Sequence, residues 1–146
     1  TELHRHLARL TVLLLAVHLG ALVADNWVRF GLADLLVPGA SRWRPAAVAW
    51  GVVAMWLLVA VQVASWPSLR LRRRWWRAVH LLSYPAWCLA AVHAVLAGTD
   101  AASPLARALL AAMTTAVSFV VIGRLIRLGR RRGPVRPSPM APLPRP

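Results

Sequence analysis

Residues 46–66 read AAVAWGVVAMWLLVAVQVASW. The stretch has no charge, one amide at Gln62, and Pro45 at its entrance. A helix needs about 20 apolar residues to cross the hydrocarbon of a bilayer. In lipid every backbone N–H and C=O must be satisfied within the segment, so a run of this kind predicts a transmembrane helix. Three further stretches extend the pattern. One runs from Leu7 to Ala24, uncharged from Leu10 to Ala24. Another runs from Ala78 to Thr99 and carries His80, Pro85 and His93. The last runs from Leu105 to Leu125, with Arg107 and Arg124 near its ends. The expected fold class is all-α: a polytopic membrane bundle of four transmembrane helices, with both termini cytoplasmic.

The composition excludes other classes. Of 146 residues, 59% are hydrophobic and 15% charged, and the mean hydropathy is +0.57. A small soluble domain cannot bury that much apolar surface, and a disordered chain needs low hydrophobicity. The formal charge of +14 comes from 18 basic residues, all Arg, against 4 acidic ones. That charge suits a nucleic-acid binder, but the hydropathy does not, so no nucleic-acid partner is expected. A single cysteine, Cys88, excludes an intrachain disulfide framework, and its apolar setting reads as packing. No zinc-ligand spacing, phosphate loop or nucleophile elbow appears.

The loops set the orientation. Arg70, Arg72, Arg73, Arg74 and Arg77 lie between the second and third spans, without an acid. Arg124, Arg127, Arg130, Arg131 and Arg132 close the fourth. The loop between the third and fourth spans carries only Asp100, and the first loop mixes Asp25 and Asp34 with Arg29, Arg42 and Arg44. By the positive-inside rule the Arg-rich loops face the cytoplasm. Trp66, Trp75 and Trp76 then flank the inner face, and Trp27, Trp43 and Trp50 the outer one. Ser65-Trp66-Pro67 reads as a helix end. Gly31 to Val37, followed by Pro38 and Gly39, reads as a short interfacial segment and a turn. From Gly133 the chain is Pro-rich, so residues 129–146 are expected to form a disordered cytoplasmic tail. The first span resembles a secretory signal, but Leu22 stands where a small residue should precede cleavage after Ala24. The chain starts at Thr1 rather than Met, and a further upstream segment is expected.

The histidines carry the chemistry. Ionisable groups at membrane depth are costly and usually functional. His4 and His18 are 14 residues apart, about 21 Å along a helix, and His80 and His93 are 13 apart, about 20 Å. The first and third spans run the same way, so His4 lies level with His80 and His18 with His93. Two helices each offering a His at two matched depths can hold two planar cofactors, each ligated on both faces. Haem b with two axial imidazoles is the candidate. Fourteen residues return His18 to within about 40° of His4 on an ideal helix, but thirteen leave His80 and His93 about 140° apart. Pro85 lies between them and can kink the helix.

Leu3-His4-Arg5 with His18, and Trp76-Arg77-Ala78-Val79-His80 with Ser83-Tyr84 and His93, resemble the ferric reductase-like transmembrane domain. That family includes the membrane parts of ferric reductases and NADPH oxidases. Two of its helices each give a His pair, spaced by 14 or 13, to two stacked haems. Asp34 to Pro38 and Ser41 to Pro45 resemble bacterial, actinobacterial-type members. The resemblance covers about residues 3–128, giving 1–128 as a transmembrane haem domain. It implies residence in the bacterial cytoplasmic membrane and a ferric reductase-like oxidoreductase component. The chain departs from the family in having four spans where six are common. It also carries no flavin or nicotinamide domain, so the donor is expected to be a separate flavoprotein, a quinol or a domain outside this chain. The small haem subunit of the methionine-sulfoxide reductase system works without a flavin domain of its own.

The expected roles follow. His4 and His80 ligate the iron of an inner haem, and His18 and His93 that of an outer one. His6, about 200° round the helix from His4, reads as interfacial, with exchange for His4 left open. Haem propionates are anionic, which assigns Arg5 and Arg77 to the inner level and Arg44, with Arg42 and Arg29, to the outer. The Arg residues between 70 and 74 read as contacts to anionic lipids. Trp87 reads first as packing, then as an aromatic between haems. Tyr84 is expected to bond a carbonyl freed by Pro85. The function expected is passage of electrons from a cytoplasmic-side donor to an outer acceptor, a ferric chelate or oxygen. The alternatives are a non-redox membrane anchor or assembly subunit with structural His, and a quinol-linked cytochrome b of another family.

Overall fold

The computed structural model describes residues 2–66, 69 and 71–131. Among them all regular structure is helical: α1 (Glu2–Ala24), α2 (Leu32–Leu36), α3 (Pro45–Ala64), α4 (Arg73–Leu81), α5 (Ser83–Ala97) and α6 (Pro104–Arg131). Four stretches are long and apolar enough to cross a membrane: Glu2–Ala24, Pro45–Ala64, Arg73–Ala97 and Pro104–Arg127. The four expected spans are therefore present. The first starts five residues earlier than its apolar run, and the third starts at Arg73 rather than Ala78. The extra turns are the amphipathic ends of the helices, where long Arg side chains can reach back to water. His4 sits in the extended end of the first span, and His80 lies three residues beyond that of the third.

Two compact units divide the chain at residue 103. In the first, α3 is the central element. Pro45 opens it at the position where a missing N–H costs no helical bond. Arg44 precedes it with φ 42°, a left-handed conformation held by the Arg44 guanidinium, which donates to the Leu96 carbonyl at 2.7 Å. Among the described residues, seven of the ten buried ones lie on α3: Ala47, Val48, Val52, Ala54, Met55, Val61 and Ala64. Val48, Val52 and Met55 pack with Leu15 and Leu19 of α1 and with Phe30 and Trp43 of the segment between α1 and α3. Small residues let helices approach closely in lipid, where association is driven by packing rather than by expulsion of water. The α3–α5 pair, with Ala47 and Ala54 on one helix and the buried Ala86 on the other, is the main helix contact of this unit.

Polar side chains tie the remaining pieces to α3. Gln62 donates to the Ala8 carbonyl of α1 at 3.2 Å. Trp56 Nε1 donates to the Leu36 carbonyl of α2 at 2.9 Å. Trp56 lies eleven residues into α3, about 16 Å along its axis, so the Gly31–Val37 segment descends beside α3 rather than resting at its entrance. Asp34 closes that short helix by accepting from the Gly31 N–H at 2.8 Å. The turn after it uses Gly39 at φ 85°, a conformation that costs glycine nothing. Gln62→Leu removes the α1–α3 tie while preserving volume. Interhelical bonds of this kind contribute about 0.6 kcal/mol on average, so a comparable loss is expected in denaturant unfolding of the detergent-solubilised chain.

The third span is broken. Helix α4 ends at Leu81 and α5 begins at Ser83, with Leu82 (φ −64°, ψ −13°) between them. Pro85 falls in the first turn of α5, where its missing N–H and ring are tolerated. The hydroxyl of Ser83, not the expected Tyr84, serves a carbonyl at the break: it donates to His80 O at 2.8 Å. Cys88 lies on the exposed side of α5, not in the packed interior.

The second unit is one long helix. Pro104 opens α6, and the helix runs 28 residues to Arg131. Gly129 to Arg131 thus continue the helix past the point where the Pro-rich tail was expected to start. The rest of that tail, 132–146, and Pro67 and Arg70 of the Arg-rich loop lie outside the described residues. Thr114 and Thr115 return their hydroxyls to the carbonyls of Leu110 and Ala111.

Candidate functional site: two facing histidine pairs

The site is built from α1, α3 and the α4–α5 pair. On α1 the 14-residue spacing puts His4 and His18 along one side of the helix. On the broken span the interruption at Leu82 re-aims α5 relative to α4, and each His of that span meets a His of α1. The rings of His4 and His80 have centroids 6.0 Å apart with an interplanar angle of 70°. Those of His18 and His93 are 6.3 Å apart at 79°. The 140° offset of an ideal helix does not survive the break, which is why a 13-residue spacing serves as well as 14.

The surroundings of the two pairs differ. His80 lies under Trp76, one turn earlier on α4, with centroids 4.8 Å apart and planes only 17° from parallel. His93 instead faces α3. Its Nδ1 is 2.8 Å from the Ala47 carbonyl, and a carbonyl can only accept. Nδ1 therefore carries the proton and donates, which leaves the Nε2 lone pair free for another partner. His6 stands apart from both pairs: its Nδ1 donates to Glu2 O at 2.9 Å, so the ring opposite His80 is that of His4.

The expected propionate partners are placed as follows. Arg5 forms an ion pair with Glu2, three residues away on α1. Arg77 is exposed on α4. Arg44 is at the His93 end of the unit, stacked over the Trp43 ring at 5.0 Å with one nitrogen on Leu96 O. Arg29 and Arg42 line an open cavity of about 630 Å³ between α1 and α3, with Trp27, Phe30, Asp34 and Trp43. Trp87 is half-buried on α5. Among the described residues no three His, Cys, Asp or Glu side chains converge to hold a bare ion. What the described side chains bring together instead is imidazoles in two facing pairs.

Sequence reasoning missed the part played by α3, which carries no His. The one available signal was Gly51, an isolated glycine in an apolar helix, a position that usually has a packing reason. A Cβ on Gly51 would lie 2.6 Å from His93 Nδ1 and 2.8 Å from its Cε1.

Four candidate spans and two facing His pairs define a helical membrane protein with imidazoles paired between its helices. Residues 1–96, two thirds of the chain and the part that holds α1 to α4 and nearly all of α5, match the family described as ferric reductase like transmembrane component. The chain belongs to that family. The match covers both His pairs and stops before α6. Comparison with curated proteins and with solved structures returns no match for the chain. Transmembrane domains of this family are generally haem-binding and work with a flavin or other redox donor, which makes the chain a membrane redox component.

Proposed function

We propose that the chain is a di-haem b conduit that carries electrons across a membrane, from a donor at the His4–His80 end to an acceptor at the His18–His93 end. The observation that carries the reading is the spacing within each pair. A metal–imidazole bond is about 2 Å, and the ring centre lies about 1 Å further, so one iron between two axial imidazoles separates their centroids by about 6 Å. The centroid separations of 6.0 and 6.3 Å fit that value at both levels. His4 and His80 would hold the inner haem and His18 and His93 the outer one.

Bound haem supplies a one-electron couple at each level. The protein's own contribution is to hold and insulate. The α1–α3 tie through Gln62 and the α3–α5 ties through Arg44 and Ala47 fix the helices that present the imidazoles. The donated Nδ1–H of His93 sets its tautomer and makes Nε2 the ligating nitrogen, as metal-bound His commonly requires. Arg77 and Arg5 are assigned to propionates of the inner haem and Arg44 to those of the outer. Arg5 would exchange its Glu2 partner for a propionate. Trp76, stacked on His80, would cover one face of the inner ligand.

Charge supports the direction. Arg72, Arg73, Arg74 and Arg77 cluster at the start of α4, and Arg124, Arg127 and Arg130 at the end of α6. The positive-inside rule assigns both clusters, and both termini, to the cytoplasmic side of a bacterial inner membrane. The donor, a flavoprotein or a quinol, then reaches the His4–His80 pair, and a ferric chelate or oxygen the His18–His93 pair. In proteoliposomes with a membrane-impermeant reductant on one side and a ferric chelate enclosed on the other, iron reduction is expected with the chain and not in empty vesicles. Equal rates in both would contradict the proposal.

A further inference from the structure

Both pairs have a ring spacing suited to a ligated metal, and the outer pair is in addition gripped by a helix that contributes no ligand. Helix α3 meets His93 at two points one turn apart. At the first, the Ala47 carbonyl accepts from Nδ1 at 2.8 Å. At the second, Gly51 presents bare backbone to the face of the ring. A Cβ there would come within 2.6 Å of Nδ1, 2.8 Å of Cε1 and 2.9 Å of Cγ. Three ring atoms inside 3.0 Å place the Nδ1 side of the imidazole where a Cβ of residue 51 would have to stand. The ring is not the loose end of a flexible chain. It is fixed in addition by the bond to Ala47, and α5 itself is fixed by Arg44 on Leu96 O one turn further on. A side chain at position 51 therefore cannot be accommodated by a small swing of His93. Either the ring leaves Ala47 or α5 moves off α3. Other helical glycines lack this relation: a Cβ at Gly20 or Gly123 meets nothing within 4 Å.

The geometry points to Gly51 and the Ala47 carbonyl as positioning residues for the outer site: α3 sets the tautomer, depth and plane of the His93 ring, and position 51 must be glycine for that ring to face His18. This rests on the di-haem reading for what His93 ligates, but the contact itself does not depend on it. In functional terms, α3 tunes the outer level of the conduit through the His93 ring. A ligand held by a carbonyl at Nδ1 is more basic than a free imidazole, and such outer partners are worth about 10- to 100-fold in metal affinity.

The test compares G51A, H93A and the G51A/H93A double variant with the parent chain, using G123A as a neutral glycine control. In the haem-loaded protein, G51A is expected to shift or abolish the low-spin ferric EPR signal of the outer haem. That is the signal H93A removes, and the inner signal should stay in place. Haem affinity at the outer level should fall about 10- to 100-fold. In thermal unfolding of the detergent-solubilised protein, G51A should lower the midpoint in the parent background. It should have no effect in the H93A background, where the obstructing ring is gone. An unaltered outer EPR signal overturns the proposal. So does a loss of stability of the same size with and without His93. If G51A does not fold in the parent background, recovery of folding in the double variant supports the contact and continued failure overturns it. A parent chain that binds no haem contradicts the conduit, while the paired unfolding measurement still decides whether Gly51 is reserved for the His93 ring.

Discussion

Replacing His18 or His93 by Ala is expected to reduce the haem content from two per chain to one and to stop electron passage. The two residues come from helices separated by a third in sequence, yet their rings face at 6.3 Å. An iron with one axial imidazole removed is expected to lose its low-spin signal at once and its haem on purification. The single variants should therefore resemble each other and the His18/His93 double variant, because residues that act as a unit are not additive. His4→Ala and His80→Ala should form a second matched set that leaves the outer signal untouched. His6→Ala should leave both, since that ring is committed to the Glu2 carbonyl. Visible and EPR spectra of the five single variants, with haem counted per chain, check the pairing. Were His4 and His18 to behave as one set, the pairing would be wrong.

The next largest effect is expected from a change that removes no ligand. One alanine inserted after Ala90 turns the rest of α5 by about 100° and advances it about 1.5 Å. His93 then leaves both His18 and the Ala47 carbonyl, and Leu96 leaves Arg44, while α4 and the His4–His80 pair stay as they were. The expected outcome is a chain with one haem and the spectrum of the inner site. The same residue inserted after Thr99, in the turn beyond α5, should keep both haems. Retention of both haems by the first insertion would show that the outer site tolerates a turned helix, contrary to the fixed geometry described above.

Much of this was legible in the sequence because bilayer thickness and backbone satisfaction leave few choices. A charge-free run such as 46–66 has to be a helix, and the His spacings give depth directly at 1.5 Å per residue. The pairing of His4 with His80 and His18 with His93 follows from depth and from the antiparallel span between them. Rotation was not legible. Ideal helix geometry puts His80 and His93 about 140° apart, and nothing in the periodicity locates the interruption at Leu82 that removes the offset. Pro85 pointed to the right region, but the break lies three residues earlier, where the first turn of α5 can absorb a proline. The role of α3 was hidden for another reason. An apolar helix has no polar face to show which neighbour it meets, so the approach of Gly51 and Ala47 to His93 appears only in three dimensions. Gln62 and Trp56 reached backbone carbonyls for the same reason: in lipid a polar group takes whichever acceptor lies within reach. The Arg residues were read by sign and position alone. The structure adds that Arg44 serves the Leu96 carbonyl and Arg5 the Glu2 carboxylate.

The central claim is that each facing pair of imidazoles is an axial ligand set. It is tested most directly by a reduced-minus-oxidised spectrum of the purified chain, with haem quantified against protein. The account predicts a Soret band, an α-band near 560 nm on reduction, and two haems b per chain. A chain that purifies folded and colourless, and stays so when haem is supplied, would contradict it.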